Sequence, residues 1–191
     1  MVVVGGYKAD RLNLPSGCAL VMNRDYENNN ILHSLACARD QMDDAATTII
    51  CYSDIIFRKS VVEKLIDDQN AEISIVVDQQ WAPRYDGRIL HPLSQAEAAR
   101  FNVQQELLQT GKDLLSSDHD SSYWGEFIGM MKITRRGREE FWKVFDDVHS
   151  KLHLDDPFQG APAWRSAYIT DLLQELVDRG VKINCSLIQG G

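Results

Sequence analysis

Cysteine is scarce and unpatterned in this chain. The four among 191 residues, Cys18, Cys37, Cys51 and Cys185, show no C-x-x-C spacing. That excludes a disulfide framework or a cysteine-rich zinc site as the organising principle. Cys37 and Cys51 lie in apolar, periodic stretches and are expected as reduced core residues of a cytoplasmic protein. Long apolar runs are also missing, since none approaches the ~18–20 residues of a spanning helix. The opening MVVVGGYKAD has no basic segment and too short an apolar run for a signal peptide. Positive charge is in deficit: 20 Lys and Arg stand against 28 Asp and Glu, a net charge of −8. This argues against broad binding to nucleic-acid backbone, which wants a basic face, but leaves room for a small phosphorylated ligand. No G-x-x-x-x-G-K-[ST], G-x-G-x-x-G or G-x-S-x-G is present, so P-loop, Rossmann-dinucleotide and nucleophile-elbow chemistry have no foothold. Repeats and low-complexity tracts are absent too.

At 44% hydrophobic and 25% charged, the chain can fill the core of one domain. Val2-Val3-Val4, then Gly5-Gly6, predicts a short strand and turn, and Leu20–Met22 a second strand. Helical spacing of Ile31, Leu35, Ala36, Ala38 and Met42 predicts a helix over 30–42, with an asparagine run to cap it. The β-branched run from Thr47 to Tyr52 reads as a buried strand. Ser60 can cap a helix with Val61, Val62, Leu65 and Ile66 inward, and EISIVVD (72–78) is the next strand. This alternation predicts an α/β fold with a largely parallel sheet. Further on, Ser94–Glu97 reads as a capping box opening a helix that runs through Phe101–Leu115. FIGMMKIT (127–134) is a strand. Helices follow over 136–152, with Phe141, Trp142, Phe145 and Val148 buried, and over 167–179. The last strand is 181–188. The acidic pairs Asp43-Asp44, Asp67-Asp68, Asp146-Asp147 and Asp155-Asp156 suit solvated helix ends and loops.

Asp54 is the sharpest functional candidate. It follows directly on a buried strand, and in parallel α/β sheets ligands bind beyond the carboxyl ends of strands. A carboxylate there can hold Mg²⁺ against a nucleotide phosphate, or it can simply cap the turn. The segment NRDYENNNILHSL (23–35) sets amide donors and acceptors before a helix N-terminus, chemistry that suits a base or phosphate edge as well as a plain turn and N-cap. In WGEFIGMMKI (124–133), Glu126 stands between glycines, either for close approach to a ligand or at the start of an edge strand. His149 and His153 share helical spacing but have no third ligand in view, so a solvated face is expected rather than a metal site.

Taken in order, these segments resemble the nucleotidyltransferase fold, in the branch of the phosphonate cytidylyltransferases associated with phosphoenolpyruvate mutase. The likeness is carried by VVVGGYKADRL, NRDYENNNILHSL, YSDIIF, VVDQQW, GEFIGMMKIT and SAYITDLLQELVDRG. It implies a Rossmann-like three-layer α/β sandwich with a mostly parallel mixed sheet, in a single domain over 1–191. It also implies transfer of CMP from CTP to a small phosphonate or phosphorylated alcohol, such as 2-aminoethylphosphonate or phosphocholine, with release of pyrophosphate. Asp54 would then be one of two aspartates on Mg²⁺, with Asn29, Asn30 and Ser34 by the cytidine. Asp78, Trp81, Glu126 and Asp171, with Arg165 as the basic candidate, would line the acceptor side. The resemblance further replaces the helix after Glu97 with short strands and a Gly-Lys pair like Gly111-Lys112. The family's Gly-rich phosphate loop and its second metal-binding aspartate have no counterpart here. The domain is therefore expected to be incomplete at both ends, with an open sheet edge that invites a second copy. Two other readings stay open: a non-catalytic binding or assembly module, and a sugar-1-phosphate nucleotidyltransferase.

Overall fold

The computed structural model describes residues 1–42, 45–69, 71–90, 92–114 and 123–190. The Asp43-Asp44 pair and the Leu115 end of the predicted helix lie outside them.

Two strands at the N-terminus, β1 (Val2–Gly5) and β2 (Ala19–Met22), pair in parallel. After α1 (Ile31–Cys37), β3 (Thr47–Cys51) enters the main sheet. The chain continues through α2 (Lys59–Asp67), β4 (Ile73–Asp78), β5 (Ala98–Phe101), β6 (Leu107–Gly111), β7 (Trp124–Thr134), α3 (Arg135–Lys151), α4 (Ile169–Asp178) and β8 (Asn184–Ile188). The main sheet has the order β6-β5-β7-β4-β8, with β3 also on β7. β4 is buried along its whole length, which explains why its sequence is nearly continuous in Val and Ile rather than alternating. Ile73, Ile75 and Val77 face the larger core, shared with α1, α3 and α4, while Val76 faces Val61 and Leu65 of α2. The result is three layers, helices on both faces of one sheet.

Two expectations need correction. The sheet is mixed as expected, but antiparallel pairing predominates in it: among the described strands, only β1–β2 and β4–β8 are parallel. The long β7 slots antiparallel between β3 and β4, and an antiparallel neighbour needs no crossover helix. Nor does a helix follow Ser94. Leu93–Gln95 is a single tight turn, and Ala98–Phe101 and Leu107–Gly111 are strands. Ala98, Ala99, Phe101 and Leu107 are buried against β7 and the core, and tertiary burial outweighs helix propensity there. The cysteine reading also shifts. Cys37 and Cys51 are exposed, at a helix end and on the outer face of β3, and Cys185 is the buried one.

One irregularity prepares the site. Between Ile75↔Met131 and Val77↔Phe127, three residues of β7 stand opposite Val76 alone. This bulge contains Gly129, at φ +80°, where a Cβ would lie 2.3 Å from the Tyr52 ring. Glycine thus lets Tyr52, whose N–H donates to the Gly129 carbonyl at 2.8 Å, fold in under the exit of β3.

Candidate functional site

β3 and β4 both run antiparallel to β7 and therefore point the same way. Asp54 follows the end of β3, and Asp78 ends β4, at the same edge of the sheet. Glu126, near the start of β7, pairs across from Asp78.

Asp54 lies in the turn after β3 and is exposed, and among the described residues no hydrogen bond or ion pair engages it. Asp78 is fully buried. Its Oδ1 accepts from the N–H of Gln80 at 2.8 Å and of Gly190 at 2.9 Å, and its Oδ2 faces the Arg84 guanidinium at 3.2 Å. Trp81 is buried and meets Tyr85 edge-on, 5.6 Å between ring centres. The Tyr85 hydroxyl donates to Glu126, and burial together with that carboxylate raises the phenol well above its ordinary range. Asp78, Trp81 and Glu126, three residues assigned to the acceptor side, are thus brought together, with Tyr85 as the link.

Asp171 sits in the first turn of α4. Its two oxygens accept from the N–H of Tyr168 at 2.7 Å and of Gly160 at 3.1 Å. It caps the helix in the manner of a capping box. Burial raises its carboxyl, against those two donors and the nearby Lys112.

The asparagine segment forms a second cluster. Asn23, only 2% exposed, donates through Nδ2 to Asn29 Oδ1 at 2.7 Å and to Ser34 Oγ at 2.9 Å. Asn29 returns a bond to Asn23 Oδ1 at 3.3 Å. Asn30 caps α1 by accepting from Ile31 N–H at 2.8 Å. Its own side chain donates to the Ser166 carbonyl at 3.0 Å, and its N–H to the Arg165 carbonyl at 3.0 Å. Arg165 is therefore placed beside the asparagine loop, with its guanidinium on Asp155 at 2.7 Å. Trp164 anchors this contact from below: its carbonyl pairs with His33 at 2.9 Å, and its indole N–H donates to His149 Nδ1 at 3.0 Å. His149 keeps its exposed face and serves Trp164. Among the described residues no group of three metal-binding side chains occurs.

Sequence reasoning missed Asn23, although the strand-end rule that found Asp54 applies equally to it, since it directly follows β2. It also missed Tyr52, and it took Glu97 for a helix cap. A surface hollow of about 560 Å³, lined by Arg39, Arg135, Arg138, Trp142 and Asp146 among others, includes none of the candidate residues.

Comparison with known proteins bears on this arrangement. No known family profile matches the chain. It is 26% identical over 187 residues to the CTP:phosphoglutamine cytidylyltransferase of Campylobacter jejuni, covering 94% of this chain and 70% of that protein. Its fold is similar to that of the inositol-1-phosphate CTP transferase from T. maritima, with a TM-score of 0.58, 12% identity, and coverage of 89% of this chain and 56% of that one. It is also similar to a CMP:2-keto-3-deoxy-manno-octonic acid synthetase complexed with CTP, at a TM-score of 0.53 and 12% identity, covering 91% and 65%. The chain thus spans between about half and two thirds of the solved structures it matches. A mixed sheet between two helical layers, with polar residues gathered where β3 and β4 end, is in this chain a nucleotidyltransferase fold of the cytidylyltransferase-like kind.

Proposed function

We propose that this domain serves a CTP-dependent cytidylyl transfer to a small phosphonate or phosphorylated acceptor. One observation carries the reading: β3 and β4 flank β7 and run the same way, so Asp54, just past the end of β3, and Asp78, the last residue of β4, stand at the same edge of the sheet, where Glu126 of β7 pairs with Asp78. The likeness to the C. jejuni enzyme supports CTP as the nucleotide and adds phosphoglutamine to 2-aminoethylphosphonate and phosphocholine as acceptors to try.

In this reading an acceptor oxygen attacks the α-phosphorus of CTP. A new P–O–P link forms, the α–β bridging bond breaks, and pyrophosphate leaves with that electron pair. Asn29 suits recognition of the cytosine edge, because its bonds to Asn23 leave one amide hydrogen and one oxygen lone pair unspent. Asn30 and Ser34 hold that loop, with Arg165 beside it rather than on the acceptor side where it was expected, and Asp78, Trp81, Glu126 and Asp171 shape the acceptor side. Asp54 is a free carboxylate at the strand end, which fits a Mg²⁺ ion only where nucleotide phosphates and water supply most of the ligands. Bound there, the ion would offset charge on the phosphates. The four free cysteines suit a cytoplasmic setting.

Pyrophosphate release is the test, measured with CTP, Mg²⁺ and each of the three acceptors. Asp54→Asn should lower the rate on the order of 100-fold with an unchanged melting temperature. Silence with every acceptor, together with no CTP binding by calorimetry, overturns the proposal. Turnover with glucose 1-phosphate instead would move the chain to the sugar-nucleotide branch. A second reading rests on β1 and β3, each paired along one edge only among the described strands. A second copy adding a strand there would make this an assembly module, and light scattering would show a dimer that binds no CTP.

A further inference from the structure

Glu97 has no part in the transfer proposed above, yet it lies between the two sides of the site. It lies between the turn at Leu93–Gln95 and β5, and only 9% of it is exposed. Its carbonyl accepts from Phe127 N–H at 2.8 Å, which fixes it against β7. Its Oε1 accepts from Thr170 Oγ1 of α4 at 3.1 Å. On its other side is Tyr52, whose buried hydroxyl lies in reach of the carboxyl but short of a well-formed hydrogen bond.

Four ionisable groups face Glu97: Tyr52 from the exit of β3, Lys112 from the end of β6, Asp171 from α4 and Tyr85 from the turn after β4. The Lys112 ammonium is occupied elsewhere, 3.8 Å above the Tyr168 ring and 3.2 Å from Gln95 Oε1. Among the described residues no ion pair engages the Glu97 carboxyl, and Lys112 acts on it only from a distance.

We propose that Glu97 is a positioning residue for the transfer reaction. Its carboxylate draws in the Tyr52 and Thr170 hydroxyls together, and so holds the strand end that carries Asp54 against the helix end that carries Asp171. This rests on the function proposed above. Burial pushes the Glu97 carboxyl up to about 7, against the pull of Thr170, Lys112 and Tyr52. The grip is thus set near neutrality: protonation turns one oxygen into a donor and weakens the hold on one hydroxyl.

The experiment compares the wild-type chain with Glu97→Gln and Glu97→Asp between pH 5.5 and 8.5. Tyrosine rings are labelled with carbon-13, and Tyr52→Phe assigns the Tyr52 signal. In the wild type that signal should shift with a midpoint near pH 7. It should not shift in Glu97→Gln, and Glu97→Asp should restore a titration. In the pyrophosphate assay, the wild-type kcat should rise through the same midpoint. Glu97→Gln should be about tenfold slower and flat over that range, with KM for CTP unchanged. A Tyr52 titration that persists in Glu97→Gln, or matching pH–rate profiles in the two proteins, overturns the proposal. If the wild type releases no pyrophosphate, the function proposed above falls. The Tyr52 signal then still decides whether Glu97 ionisation sets the position of the β3 exit.

Discussion

The asparagine cluster around Asn23 and the carboxyl cluster around Glu97 both place polar groups below the surface, by opposite means. Asn23, Asn29 and Ser34 are neutral, and they satisfy one another and the adjoining backbone. The acids Asp78, Glu97 and Asp171 are buried carboxyls, each relying on donors from other parts of the chain. Neutral amides carry no charge to desolvate, so such a loop can be assembled locally and permanently. A buried carboxyl depends on the donors it finds: Asp78 and Asp171 each accept from two backbone N–H groups, whereas Glu97 accepts from the Thr170 hydroxyl and burial pushes it up to about 7. Rigidity belongs to the first cluster and pH sensitivity to the second.

The largest expected effect breaks the better-paired acid. Asp78→Ala strips two backbone N–H groups of their acceptor and leaves Arg84 facing a gap. It should cost about 4 kcal/mol in urea unfolding. Next comes Glu97→Gln, whose effect has the opposite sign. A carboxyl raised from 4.5 to about 7 in the fold binds protons more tightly there than when unfolded. Wild-type stability therefore falls as pH rises from about 4.5 to 7 and stays lowered above that. The variant should be more stable by about 3 kcal/mol at pH 8 and equal to the wild type near pH 4, read from denaturant midpoints. Asn23→Ala should cost about 2 kcal/mol at every pH from 5 to 8, because the partners it deserts do not titrate there. Asp54→Asn is the smallest, within about 0.5 kcal/mol, since the side chain is exposed and unbonded. A pH-dependent cost at Asn23, or a flat one at Glu97, would erase the contrast between the clusters.

Much of the fold was legible in the chain itself. The Asn30 cap, the buried run of β4 and the stripe of α3 follow from local chemistry and spacing, and the structure has all three. The strand-end aspartates were legible for the same reason, because a carboxylate after an apolar run stands out. The helix predicted after Ser94 failed because its burial comes from β7, more than twenty residues further along. Tyr52 was illegible because only the bulge at Gly129 shows where its ring goes.

The sequence by itself determined where strands stop and helices start, and which polar residues stand at those ends, since capping, period and burial act over a few neighbouring residues. Only the tertiary structure decided that β7 runs between β3 and β4, and so which strand ends meet. It alone brought Glu97 and Thr170, separated by 73 positions, into contact, and buried the Tyr52 hydroxyl on the other side of that carboxyl. The physical reason is that desolvation depends on everything that surrounds a group, and no stretch of chain carries that information alone.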